Sequence, residues 1–282
     1  MRGMITGLGL ALAASSAPAA ADAARVSVGD VAIAVPAPAG FAEITTKMTT
    51  LHALSRRMVA PDNIEFAAFI PREDVDAALA DTLAALPRRF SLQAGRHLVG
   101  PRVAQPDFQR LKRALRESAV ALGSRAVAAL SEPMRDLADD LAAESGSRFS
   151  MAVRDIETLP AHHEDAHSLS YSMRVHHDMT DARGNPAPFV SVATATLVHV
   201  RGKVLFLYAF GEASDLDWSR RAAADWASAL LAANPAPPPA GAGQDPRVQR
   251  APLKRGMPWL DAAMLAMLGL GVLLFRSILR RS

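Results

Sequence analysis

The chain has 282 residues, a formal net charge of +3 and no cysteine. The missing thiol excludes a disulfide scaffold, a cysteine nucleophile and cysteine metal sites. Half of the residues are hydrophobic, so the roughly 210 residues between two distinctive ends can bury a core as one domain or two small ones.

The first 23 residues carry the parts of an export signal. Arg2 is a minimal positive start, Met4 to Ala14 is a short apolar run, and small residues surround Ala21 and Ala23, where cleavage is expected. With no cysteine after that point, lipoprotein processing is not open. The next residues, Arg25 to Pro36, read as a first strand, because Val26, Val28, Val31, Ile33 and Val35 are β-branched. Gly29-Asp30 interrupts them as a turn or bulge, and Pro36 to Phe41 forms a second turn. A weak helix is expected over Thr45 to Met58, a buried strand over Ile64 to Ile70, a helix over Asp74 to Leu86 and a strand over Arg88 to Leu98.

Pro106 opens a better helix, with Phe108, Leu111 and Leu115 on one face and Arg110, Lys112, Arg113 and Arg116 around the others. Such a basic face suits solvent, anionic lipid or an acidic partner. Ser131-Glu132-Pro133 reads as the cap of a separate helix bearing Met134, Leu137 and Leu141. The period then changes. Phe149 to Ile156 alternates with a slip, and Leu169 to His176 alternates cleanly, apolar at odd positions and polar at even ones. Asp181 to Pro186 is a turn. Phe189 to Val200 and Lys203 to Phe210 are β runs joined at Arg201-Gly202, a hairpin signal. Asp217 is the expected cap of a last helix, with Trp218, Ala222, Trp226, Ala229 and Ala233 on one stripe, stopped by Asn234-Pro235. Strands and helices segregate, so the fold class is α+β: an antiparallel sheet packed against helices.

Residues 235–256 are rich in Pro, Ala and Gly and then basic, at Arg247, Arg250, Lys254 and Arg255. This composition builds no core and reads as a spacer beside lipid headgroups. Residues 257–279 are apolar apart from Asp261 and Arg276 and are long enough to span a bilayer. A cleaved signal would place residues 25–234 in the periplasm, the helix in the inner membrane and Arg280-Arg281-Ser282 in the cytoplasm. The partners implied are the lipid bilayer and a membrane protein, with no nucleic acid. Asp261 and the Gly269/Gly271 pair are candidate contacts to other helices if the chain is an accessory subunit.

Five of the eight histidines lie between His162 and His177. His163-Glu164-Asp165-Ala166-His167 matches the H-E-x-x-H spacing, which on a helix turns two imidazoles to one metal ion. It resembles the zinc-protease motif in letters, but Pro160 precedes it, a strand pattern follows at once, and Ser172 or Met173 stands where a third ligand would be. A looser zinc site from His163, His167, His176 or His177 is the alternative, and a polar, pH-responsive hairpin loop is a third reading. No G-x-S-x-G, P-loop or S-x-x-K set accompanies them. The expectation is a non-catalytic module for binding, assembly or envelope stress, with a metal-dependent hydrolase or metal-binding protein as runner-up.

Val31 to Phe41, with its Pro-rich turn before Gly40-Phe41, and Gly202 to Tyr208 give the chain a resemblance to uncharacterised bacterial envelope proteins that combine a signal, a domain opening on a strand and a terminal anchor. The fold this implies is similar to the PsbP-like α/β/α sandwich. The resemblance implies no activity.

Overall fold

A computed structural model describes residues 23–83, 85–145, 150–181 and 183–235. The leader over 1–22, the spacer from 236, the apolar segment 257–279 and the tail lie outside the described residues. No described helix is long and apolar enough to cross a membrane.

The chain opens on a hairpin, β1 (Ala24–Val28) and β2 (Val31–Val35), which forms its own two-stranded sheet. The interruption at Gly29 is therefore a turn. Gly29 has φ +60°, and a Cβ there would lie 2.4 Å from the Val99 carbonyl oxygen, so only glycine fits. There follow β3 (Phe41–Glu43), α1 (Thr49–Arg57), β4 (Asn63–Pro71), α2 (Val75–Leu79), β5 (Arg89–Gly95), α3 (Arg96–Val99) and α4 (Gln105–Ser145). The second half comprises β6 (Ser150–Thr158), β7 (His163–Glu164), β8 (Ser168–Thr180), β9 (Phe189–Val200), β10 (Lys203–Glu212) and α5 (Leu216–Ala233).

The main sheet has the order β3-β4-β5-β10-β9-β8-β6, and β7 pairs with β8 on the side where β6 ends. Every described pairing is antiparallel. One face is covered by α4 and α1, the other by α5 and the β1–β2 hairpin, and each carries its own apolar cluster. The fold is thus α+β, with an antiparallel sheet between helical layers. The β9–β10 turn has the expected form. Arg201 and Gly202 both have positive φ, at 52° and 79°, the backbone of a two-residue turn that matches strand twist.

Besides the strand expected to run to Leu98, which ends at Gly95 where α3 begins, four expectations need correction. The helix expected over Asp74 to Leu86 ends at Leu79. Asp81 takes φ +56°, and the Asp81 and Thr82 amides bond back to the Ala78 and Ala77 carbonyls. This is a Schellman stop, and only Ala78 of the helix is buried. Secondly, residues 105–145 form one helix. Ser131 caps nothing: its hydroxyl donates back to the Val127 carbonyl at 2.6 Å. Met134 and Ala138 pack in the same cluster as Phe108 and Leu111, which holds both halves in one rod; the Leu137 and Leu141 side chains lie outside those described. Thirdly, the cap before α5 is a box between Glu212 and Asp215, not Asp217. Finally, the buried stripe of α5 is Ser219, Ala223, Trp226, Ala227 and Leu230, while Ala229 and Ala233 are exposed. The helix alternates spacings of three and four, so a strict spacing of four drifts off the face.

Candidate functional site

The histidine-rich segment is a clamp on α4. β7 pairs His163 with Ser170 and Glu164 with Leu169, and the chain then turns through residues 165–167 into β8. The Asp165 carboxylate accepts the His167 and Ser168 amides at 2.7 and 2.6 Å, which fixes the turn and lowers its pKa despite some burial. The polar side chains of α4 grip this turn. Lys112 meets Glu164 at 3.0 Å, Arg116 meets it at 2.8 Å, and the Lys112 ammonium also donates to the Asp165 carbonyl. The Gln105 and Gln109 amides both donate to the Ala166 carbonyl. Lys112 is 3 % exposed, so its charge is tolerated only because it is paired this way. Three of the four basic residues read from the sequence are therefore engaged within the molecule, Lys112 and Arg116 with Glu164 and Arg110 with Asp107.

Under the clamp, the Tyr171 hydroxyl is buried without a hydrogen-bond partner among the described residues, and burial pushes its pKa up to about 12. His199 is held between two oxygens, Gln105 Oε1 at 2.6 Å from Nδ1 and the Val103 carbonyl at 2.7 Å from Nε2, and stacks on Phe108. Only the doubly protonated ring donates to both oxygens. The net direction is against that charge: burial lowers the pKa of His199 and His167 adds to it, with the Val103 carbonyl opposing.

The structure does not bring the metal candidates together. His163 contacts Asp165 at 3.4 Å, and His167 faces His199 with ring centroids 6.4 Å apart. His176 lies opposite Asp155, within 3.5 Å of Arg154. It stands six positions along β8 from the Ser170 that pairs with His163, about 20 Å away at strand rise. His177 is buried against Phe189 and bonds Ser191 at 2.9 Å; burial drives its pKa down to about 4, with His176 adding to the effect. Among the described residues no group of three His, Asp or Glu side chains is placed to hold a metal ion.

Two further polar assemblies went unread in the sequence. The first lies on the α4 and α1 side of the sheet. Ser55 of α1 and Ser91 of β5 donate to the two Glu65 carboxylate oxygens at 2.9 and 2.7 Å. Gln93 donates to Ser91, Asn63 donates to Gln93, both at 2.8 Å, and Asn63 also bonds the buried Tyr208 hydroxyl. Arg89 lies over the Phe210 ring at 3.8 Å; burial pulls its pKa down to about 10, opposed by Glu65. The signal was present in the alternation of β5, where Arg89, Ser91 and Gln93 share a face opposite Phe90, Leu92 and Ala94.

The second assembly lies under α5. Arg220 Nε donates to Ser172, and the hydroxyls of Ser172, Thr194 and Ser219 follow at 2.9 Å steps, ending on the Leu216 carbonyl. Because both ends are fixed, each hydroxyl donates in the same direction. Ser170 and Thr196 form a parallel rung. Arg220 also acts on His162, whose pKa falls to about 4 through burial first and then this charge.

Asn234 closes the domain. Its side-chain amide accepts the Ala34 N–H at 2.9 Å and donates to the Ala34 carbonyl at 2.7 Å. The end of α5 is thereby tied to β2, beside the start of β1.

No family model matches the chain, and no curated protein matches it. Among solved structures it is similar to the solution structure of cyanobacterial PsbP (CyanoP) from Synechocystis sp. PCC 6803, at 12% identity over 77% of this chain and 96% of that one, with a TM-score of 0.26. At that score the likeness carries no argument about function.

Proposed function

We propose that this chain is an exported, membrane-tethered domain that works by binding or assembly in the periplasm, held by residues 257–279 in the inner membrane. The observation that carries the reading is the Asn234 clamp. It brings the exit toward the spacer, at Pro235, beside Ala34 and so next to β1. A leader on one side and an apolar segment on the other would thus both approach the domain at one end, as suits a domain standing on a bilayer. The non-catalytic part of the reading is supported by how the candidate residues are engaged: Glu164, Lys112, Gln105 and His199 hold the turn against α4.

Fractionation of cells expressing the full chain tests this. The full chain is expected in the membrane fraction after alkaline extraction, with the domain open to protease added to spheroplasts. A chain ending at residue 256 is expected in the soluble periplasmic fraction. A full-length chain that is soluble, or a domain shielded from external protease, overturns the reading.

A further inference from the structure

We infer that the end of the domain from which the tether leaves rests on anionic lipid headgroups. The inference deepens the tether reading and rests on it. Its basis is the charge gathered at that end. Arg201 heads the β9–β10 turn and donates to the Ala32 carbonyl at 3.0 Å, two residues from the Ala34 backbone that holds Asn234. Arg25 is the cross-strand neighbour of Ala34. Arg102 packs beside Gly202 and pairs with Asp30 at 2.7 Å. Arg96 begins the short α3 whose last carbonyl, at Val99, accepts from Lys203 at 2.8 Å. Arg25, Arg96, Arg102 and Arg201 are all exposed. A guanidinium bonded to a carbonyl keeps its full charge and further N–H groups for phosphate.

The acids nearby do not cancel this. Asp30 is already shared between Arg102 and Lys203, at 2.7 and 3.1 Å, which holds its carboxyl down at about 2. The other acids at this end are Asp62, whose backbone carbonyl accepts from the Arg96 amide, and Asp107, Glu164 and Asp165. Asp107 pairs with Arg110, Glu164 with Lys112 and Arg116, and the Asp165 carboxylate accepts two amides of its own turn. The far end has the opposite character. Arg88 there is surrounded by Asp215, Glu212 and Glu73, with Asp74 adjoining Glu73. β10 runs from Lys203 at the basic end to Glu212 at the acidic end, about 30 Å. Basic toward the tether and acidic away from it is the polarity that an anionic surface selects.

The chain beyond the domain makes the contact effective. Residues 236–256 precede the apolar segment. A segment of that length spans about 25 Å as a coil and about 65 Å when extended. Headgroup attraction decays within about 8 Å at physiological salt, so an untethered domain would feel it rarely. A tether of this reach presents the basic end at high effective concentration.

The test uses the full chain in nanodiscs. Because it has no cysteine, Ser27→Cys places a single donor dye at the tether end, and Glu73→Cys places one at the far end. Acceptor dye sits in the lipid, either pure phosphatidylcholine or a mixture with about 30 % phosphatidylglycerol. Docking predicts strong transfer from position 27 and weak transfer from position 73 in the anionic discs, and little difference between the two in neutral discs. Raising salt to about 0.5 M abolishes the difference. Combined Arg25→Gln, Arg96→Gln and Arg201→Gln weakens docking about a hundredfold, at about fivefold per arginine, while the circular-dichroism spectrum stays that of the folded domain. Equal transfer from both positions in anionic discs, with the chain incorporated, overturns docking and leaves the tether intact; an acidic protein then becomes the partner for this end. A chain that enters neither kind of disc overturns the tether and the docking with it.

Discussion

The two faces of the main sheet bury polar groups in different ways. The face under α4 and α1 contains groups that can carry charge: Glu65, Arg89, His177, His199 and Lys112. The face under α5 contains hydroxyls and aromatic rings, with Phe41, Phe90, Trp218 and Trp226 in edge or stacked contact and the Ser172–Thr194–Ser219 chain beside them. Its charged groups stand at its edges: Lys203 at the hairpin end, Arg220 at the margin, and Arg88 over the Trp218 ring, paired with Asp215. Ionisable groups need several partners each, so their network is all or nothing. Hydroxyls rotate to satisfy themselves, and the loss of one costs little. One face should therefore respond sharply to single substitutions and to pH, and the other weakly.

The largest effect is expected at Glu65. Glu65→Ala leaves the Ser55 and Ser91 hydroxyls without their acceptor and Arg89 without its nearby carboxylate, and is expected to cost roughly 2–4 kcal/mol by urea unfolding. A loss below about 0.5 kcal/mol would erase the distinction between the faces.

Acidification comes next. The folded-state pKa of His177 lies near 4, below its unfolded value near 6.5. The unfolded chain therefore binds the proton first as pH falls. The stabilising contribution is complete above about 6.5 and is lost on the way down to about 4, with a slope of up to about 1.4 kcal/mol per pH unit. His177→Phe, which keeps a ring stacked on Phe189, should flatten the curve between pH 6.5 and 4; an unchanged curve would assign that window to other groups, of which His162 is one.

Lys112→Met retains the buried stem and removes the charge. Arg116 still holds Glu164, so stability is expected to fall by about 1–2 kcal/mol, while cleavage of the 163–167 turn by a protease rises. Intact resistance would mean that Arg116 and the two glutamines hold the clamp without Lys112. The smallest effect belongs to the other face. Thr194→Val breaks one hydroxyl chain and should cost about 1 kcal/mol, independent of pH. In combination with Ser172→Ala the costs should fall short of additive by about 0.5 kcal/mol, because both remove the same bond.

The contrast between the faces also governs what could be read in advance. The alternation in Leu169 to His176 and the Arg201-Gly202 turn predict strands and a hairpin correctly, because side-chain period and turn dihedrals are local properties. The same alternation contains the hydroxyl chain: Ser172 pairs with Thr194 because their strands are neighbours. The Glu65 network joins α1, β4, β5 and β10, four elements that no spacing in the sequence connects. The H-E-x-x-H letters mislead for a related reason. Their reading requires a helix, but residues 163 and 164 extend as β7, where Glu164 turns toward Lys112 and Arg116 of α4. Likewise the basic residues of α4 look solvent-bound from the helix alone, and only the arriving turn shows that Lys112 faces inward.

The Asn234 clamp has a mechanical side. A pull along the chain beyond Pro235 arrives first at this one side-chain amide, whose two bonds to Ala34 imitate a rung of a strand ladder. From there the load enters β2 and its partner β1, a two-stranded sheet separate from the eight-stranded one. The hairpin can thus act as a fuse: it can peel away under tension before the main sheet is strained. Asn234→Ala would move the point of first failure into the last turn of α5.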